Sequence, residues 1–143
     1  MTDHIMKLVV GFDSLEQFAQ WQLKERMMYK GQEVNIVRTR YAPKQAEEML
    51  KNGSSIYRVI KNKLVCRQKL VAFEPFEDPD KGTRTMILTD TEIMCVKSKP
   101  RRPFQGWRYL KDKDKPRDIG VYVLGESKPQ STIEIELQEL GLI

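Results

Sequence analysis

Apolar and polar positions along this chain follow two periods, and the switches between them mark its elements. Ile5-Met6-Lys7-Leu8-Val9-Val10-Gly11 is an apolar run closed by glycine, which predicts a first strand. Asp13 and Ser14 then offer helix N-caps, with Glu16 and Gln17 three residues further on as capping-box partners. Leu15, Phe18, Ala19, Gln22 and Leu23 recur near helical spacing. The pattern predicts a helix to Met28 stopped by Gly31, with Trp21, Met27 and Met28 as core. Val34 to Arg40 alternates with period two, placing Val34, Ile36 and Arg38 on one face of a half-buried strand. A short helix follows Pro43, carries Ala46, Met49 and Leu50 inward, and ends at Asn52-Gly53.

From Ser54 the chain turns β-rich. Strands are expected over 56–60, over 64–73 with a bend near Arg67 to Lys69, over 83–88 and over 92–96. Asn62-Lys63 makes a tight turn, and Asp78-Pro79-Asp80-Lys81-Gly82 closes a hairpin. Lys111 to Asp118 reads as a solvated loop, 120–125 as a short strand, and Ser131 to Gly141 as a third helix with cap and stop. Together these elements predict one α+β domain over residues 1–143. Its sheet is a small curled antiparallel sheet or a β-barrel, flanked by three helices.

Charge changes the picture at one place. The net charge is +5, and Lys97 to Lys111 holds six basic residues and no acidic one, so +5 less these six leaves −1 elsewhere. Inside this window Arg101-Arg102-Pro103-Phe104-Gln105-Gly106-Trp107-Arg108-Tyr109-Leu110 combines three arginines with three aromatics. Guanidinium groups grip phosphate, and flat rings stack on unpaired bases. Arg101, Arg102 and Arg108 weigh toward phosphate contact, and Tyr109 or Trp107 toward stacking. Phe104 and Trp107 weigh slightly more as packed anchors. Gln105, Arg67, Gln68, Lys61 and Lys44 complete the candidate set.

Other chemistry leaves little trace. His4 is the single histidine, at the terminus, so Ser-His-Asp catalysis requires that terminus to fold back over the core. Cys66 and Cys95 lie in apolar runs and read as buried thiols. No metal-ligand spacing, phosphate-cradling glycine loop or cofactor motif is present. There is no signal-peptide pattern and no apolar run of membrane length, which gives the cytoplasm as the expected compartment.

Several runs resemble a known family. They are Pro43-Lys44-Gln45-Ala46-Glu47-Glu48, Gly53 to Lys61, Arg67-Gln68, Arg101 to Leu110 with Asp114, Pro116 and Asp118, and Glu139 to Ile143. These resemble the bacterial domain of unknown function 1489 over nearly the whole chain. The resemblance implies one domain and no particular activity. An aromatic commonly stands in that family where this chain has Arg58, which weakens any role given to position 58. More loosely, the order of strands is similar to PUA-like barrels and their EVE and ASCH relatives, and this implies RNA or modified bases as ligands.

The expected function is therefore a nucleic-acid-binding module for RNA, single strands or a modified base. One alternative is a small enzyme or binder of an anionic metabolite, built on Arg67, Lys61 and Tyr109. The other is a protein–protein adaptor anchored by the aromatics.

Overall fold

The computed structural model describes residues 2–123. In chain order its elements are β1 (His4–Leu8), α1 (Leu15–Lys24), β2 (Met27–Tyr29), β3 (Gln32–Thr39), α2 (Ala46–Lys51), β4 (Ser55–Ile60), β5 (Lys63–Asp78), β6 (Gly82–Thr89), β7 (Met94–Pro100), β8 (Trp107–Leu110) and β9 (Asp118–Val121). A 3-10 turn over Asp112–Asp114 links the last two strands. The expected third helix over 131–141 lies outside the described residues, as does the end of the expected 120–125 strand.

The strands form one sheet in the order β2-β3-β6-β5-β4-β1-β8, with β7 and β9 branching from β5. It is mixed rather than wholly antiparallel, because β1 runs parallel to β4. Among the described residues its order is that of an open sheet carrying two α-helices, with no closed barrel ladder. β5 is the spine. Its first half pairs with β4 on one edge and β7 on the other, and from Leu70 onward it pairs with β6. The register shifts between Leu70 and Ala72, close to the expected bend. β5 also runs on to Asp78, through Pro75. A proline is tolerated there because this half of the strand has only one partner.

Burial in β4 explains why it sits centrally. All six of its residues are buried, including Arg58. Ile5, Ile56, Val37, Leu70 and Ile87 make a core on one face, closed by Met49 of α2. Met6, Tyr57, Val59, Leu64, Val96 and Leu110 make a second core on the opposite face. Each aliphatic side chain so buried contributes about 1.5–3 kcal/mol.

Of the two expected caps, Ser14 is the one that starts α1, its Oγ accepting from the Gln17 amide at 3.2 Å. Gln17 Oε1 in turn accepts from the Asp13 amide at 3.0 Å. The helix stops at Lys24 rather than Met28. Lys30 (φ 47°) and Gly31 (φ 87°) form a left-handed turn, so Met27–Tyr29 pairs with β3 as a hairpin instead of continuing the helix. Trp21 and Met28, expected in the core, are exposed. Both faces of β3 are covered: Val34 and Ile36 pack in one core as expected, Val37 lies in another with Thr39 buried beside it, and of the expected face only Arg38 is exposed. Asn35 is buried because its Nδ2 donates to the Gln22 carbonyl of α1 at 2.8 Å. That contact satisfies a carbonyl in the last turn of the helix.

Candidate functional site

The basic–aromatic stretch divides into a loop over 101–106 and the edge strand β8, paired to β1. Alternation along β8 separates its side chains. Trp107 packs on the Ile5–Val37 core. Its Nε1 donates to the Tyr41 carbonyl at 2.8 Å, and Tyr109 meets its ring edge-on at 4.9 Å. Tyr41 is 63% exposed and Tyr109 36%. Arg40 lies over the Tyr41 ring at 5.1 Å. This brings the Tyr41 backbone against the Trp107–Tyr109 face of β8, with Lys44 exposed three residues beyond Tyr41.

Arg108 is placed elsewhere. It stacks over Phe104 at 5.4 Å, and Phe104 packs against the second core. The expected combination of Arg108 on phosphate with Trp107 and Tyr109 on bases is therefore split between opposite faces of β8. Arg101 and Arg102 gather at one end of the sheet. The Arg101 amide donates to the Asn62 carbonyl at 2.8 Å, which brings both arginines beside Lys61 in the β4–β5 turn. Arg101, Arg102, Asn62, Pro100 and Pro103 line a shallow depression there. Lys61 and Asn62 hold φ of 50° and 64°, a two-residue turn made without glycine. Gln105 is exposed in the loop.

Arg67 and Gln68 are engaged within the fold. Arg67 grips Asp118 with Nε at 2.7 Å and Nη2 at 2.6 Å, and its Nη1 donates to Ser55 Oγ at 2.9 Å. The hydrogen bond from Arg67 holds the Asp118 carboxyl below its usual range and lifts the guanidinium in return. Gln68 and Gln22 exchange two buried amide hydrogen bonds, at 2.9 and 2.8 Å. Arg67, Lys61 and Tyr109 do not share a pocket. Register puts Tyr109 opposite Ile5 and Arg67 opposite Tyr57, and those two lie on opposite faces.

His4 is not a loose terminal residue. It is 8% exposed, its Nδ1 accepts from the Ser55 amide at 3.0 Å, and its Nε2 lies 2.7 Å from Asp112 Oδ1. An amide donor on Nδ1 leaves the ring proton on Nε2, shared with the carboxylate. The nitrogen that would take a serine proton is thus occupied by backbone. The terminus does fold back, yet it forms a latch between β1, β4 and the 3-10 turn rather than a catalytic triad. On one side of it a cavity bordered by Ser55, Tyr57 and Arg67 measures about 180 Å³, and on the other an open depression of about 470 Å³ is lined by Glu48, Asn52, Ser54 and Asp112.

A larger cleft lies where α1 crosses the end of β1, β3 and β4. It measures about 450 Å³ and is lined by Lys7, Arg38 and Arg58 together with Phe12, Phe18 and Trp21. Arg58 is 6% exposed. Its Nε donates to the Lys7 carbonyl at 3.2 Å, its Nη2 to the Leu8 carbonyl at 3.1 Å, and its plane lies 5.1 Å from the Phe18 ring. No carboxylate pairs with it among the described residues. Burial pulls its pKa down, though a guanidinium stays charged throughout the range in which proteins fold. Burial, then the neighbouring charges of Arg58 and Arg84, pull Lys7 down as well. The sequence signal for this cleft was a charged residue in the middle of each of two apolar strands.

Cys66 and Cys95 face each other across β5 and β7 as buried thiols. Among the described residues no cluster of three or more His, Cys, Asp or Glu is placed to hold a metal. Nor is any helix among them long and apolar enough to cross a membrane.

Fold and site together define a small mixed-sheet protein with two α-helices among the described residues and cationic, aromatic-lined surfaces. The chain belongs to the family described as "Protein of unknown function (DUF1489)", whose profile matches residues 5–143. No curated protein and no solved structure matches it.

Proposed function

We propose that this protein is a single-domain cytoplasmic module that binds single-stranded RNA or DNA. One observation carries the reading. The Trp107 indole is pinned to the Tyr41 carbonyl and meets the Tyr109 ring edge-on, and both tyrosines beside it are exposed. Bases stack on such rings without regard to sequence, and each stacked base contributes about 1–3 kcal/mol. Arg40 and Lys44 supply phosphate contacts beside them, and Arg101, Arg102 and Lys61 form a second cationic cluster at the end of the sheet. The bend of β5, which serves β4 and β6 in turn, supports a PUA-like, barrel-related arrangement. That likeness remains an analogy of fold.

The test is fluorescence anisotropy with labelled twelve-nucleotide RNA and DNA at two salt concentrations. Wild-type protein binds at low salt, and its affinity falls as salt rises. Tyr41→Ala and Tyr109→Ala each weaken binding about tenfold, as loss of one stacked base requires. Arg101→Ala with Arg102→Ala flattens the salt dependence by about two charges. No binding to either pool at 20 mM salt overturns the proposal.

A further inference from the structure

We propose that the cleft under α1 is a binding site for a small phosphorylated ligand with a planar ring, of the size of a nucleoside monophosphate. This goes beyond the stacking surface, and it rests on different residues.

Charge is the first argument. Three cations border the cleft, and no carboxylate borders it. Arg58 is held there against its own desolvation, a cost of several kcal/mol for an ion buried without a counter-charge. Two backbone carbonyls and the Phe18 ring offset part of that cost. Its Nη1 makes no hydrogen bond among the described residues, so the guanidinium retains a donor for a ligand. Such an arrangement is costly when empty and is relieved by a dianion. A phosphate monoester is a dianion at neutral pH, and its oxygens accept from a guanidinium fork.

Shape is the second argument. Lys7 and Arg58 stand side by side across β1 and β4, which fixes their spacing by sheet register rather than by loop conformation. Phe12 and Trp21 also line the cleft, their ring centroids 5.6 Å apart. Trp21 is 37% exposed although it sits against this aromatic group. A ring accessible on one side and backed by protein on the other is placed to stack on a planar ligand. The volume lies within the range of small-molecule sites.

The experiment titrates the full chain with AMP, GMP, CMP and UMP, following tryptophan fluorescence in a Trp107→Phe background so that Trp21 is the sole reporter. Adenosine and inorganic phosphate are run separately. A nucleoside monophosphate is expected to change Trp21 emission saturably and to raise the melting temperature. Each half-ligand binds at least tenfold more weakly than the whole, because each makes only part of the contacts. Arg58→Met keeps the length and apolar stem of the side chain and loses binding about 30-fold or more, as removal of a charged hydrogen-bond donor predicts. Arg38→Ala, at an exposed position, weakens binding about fivefold to tenfold and serves as the deciding variant should Arg58→Met fail to fold.

Absence of saturable binding by all four monophosphates at 10 mM overturns the inference. So does a folded Arg58→Met, or failing that Arg38→Ala, that binds like wild type. The stacking surface is judged separately. Tyr41→Ala and Tyr109→Ala leave monophosphate binding unchanged, and Arg38→Ala leaves oligonucleotide binding within twofold.

Discussion

Replacing Gln68 with leucine lowers stability by about 3 kcal/mol, measured as the shift in urea unfolding at pH 7. The size follows from what is left behind. Gln68 and Gln22 are both fully buried, and each donates an amide hydrogen to the other's oxygen. Gln68 Nε2 also donates to the Asp90 carbonyl at 3.0 Å. Leucine fills the volume but leaves the Gln22 amide with neither donor nor acceptor in a dry site. Each such orphaned group costs about 1–3 kcal/mol. Removing both partners is far milder. The double variant Gln22→Leu with Gln68→Leu recovers all but about 1 kcal/mol, so the coupling energy of the cycle is about 2 kcal/mol or more. A double variant as unstable as the sum of the singles would show that the amides act independently. The pair matters for the proposed cleft because it fixes α1 against β5. That fixes Phe18 over Arg58, with Trp21 stacked on Phe18, and Asn35 clamps the same turn of the helix from β3.

The same pair shows why parts of the molecule could not be read from the chain. A glutamine inside a helix and one inside a strand are individually unremarkable polar residues, 46 positions apart. Only packing reveals that they satisfy each other. Local signals fared better where local physics decides. Ser14 with Gln17 gave the start of α1, and Asp78 to Gly82 gave the β5–β6 hairpin. The end of α1 was lost because Gly31 terminates a helix and turns a hairpin with the same left-handed backbone. Composition pointed to 101–110 but could not say that β8 is an edge strand. Pairing with β1 sorts its residues onto two faces, which parts Arg108 from Trp107 and Tyr109. Tyr41 gave no signal in sequence because the link that brings it beside Trp107 runs through its backbone carbonyl, 66 positions away. His4 stands alone near the terminus, with no partner nearby in sequence to reveal its contacts. Its function as a latch depends on Asp112, 108 residues away.

At alkaline pH the Tyr57→Phe variant becomes more stable than the wild type, by about 2 kcal/mol near pH 12. Tyr57 is 1% exposed and stands edge-on to His4 at 5.5 Å. Burial pushes its phenol up to about 12; nearby Arg67 opposes the shift, and the Asp118 and Asp112 carboxylates add to it. In the unfolded chain the phenol titrates near 10. Below pH 10 both states carry the proton, and the contribution of the neutral phenol is fully present. Between 10 and 12 the unfolded chain has released its proton and the folded chain has not, so rising pH favours unfolding. The stability is lost through that window, two pKa units in width. Phenylalanine keeps the ring and its packing and has no proton to lose. Lys7 works in the opposite direction. Its lowered pKa makes the folded state gain stability as pH rises toward 10.5, but it does so equally in both proteins and cancels in the comparison. Urea midpoints of wild type and Tyr57→Phe are expected to agree within about 1 kcal/mol at pH 8 and to diverge steadily above pH 10. A difference that stays constant from pH 8 to 12 would mean that the folded protein does not hold this phenol neutral. In that case the surroundings of His4 would be open to water rather than sealed by the second core.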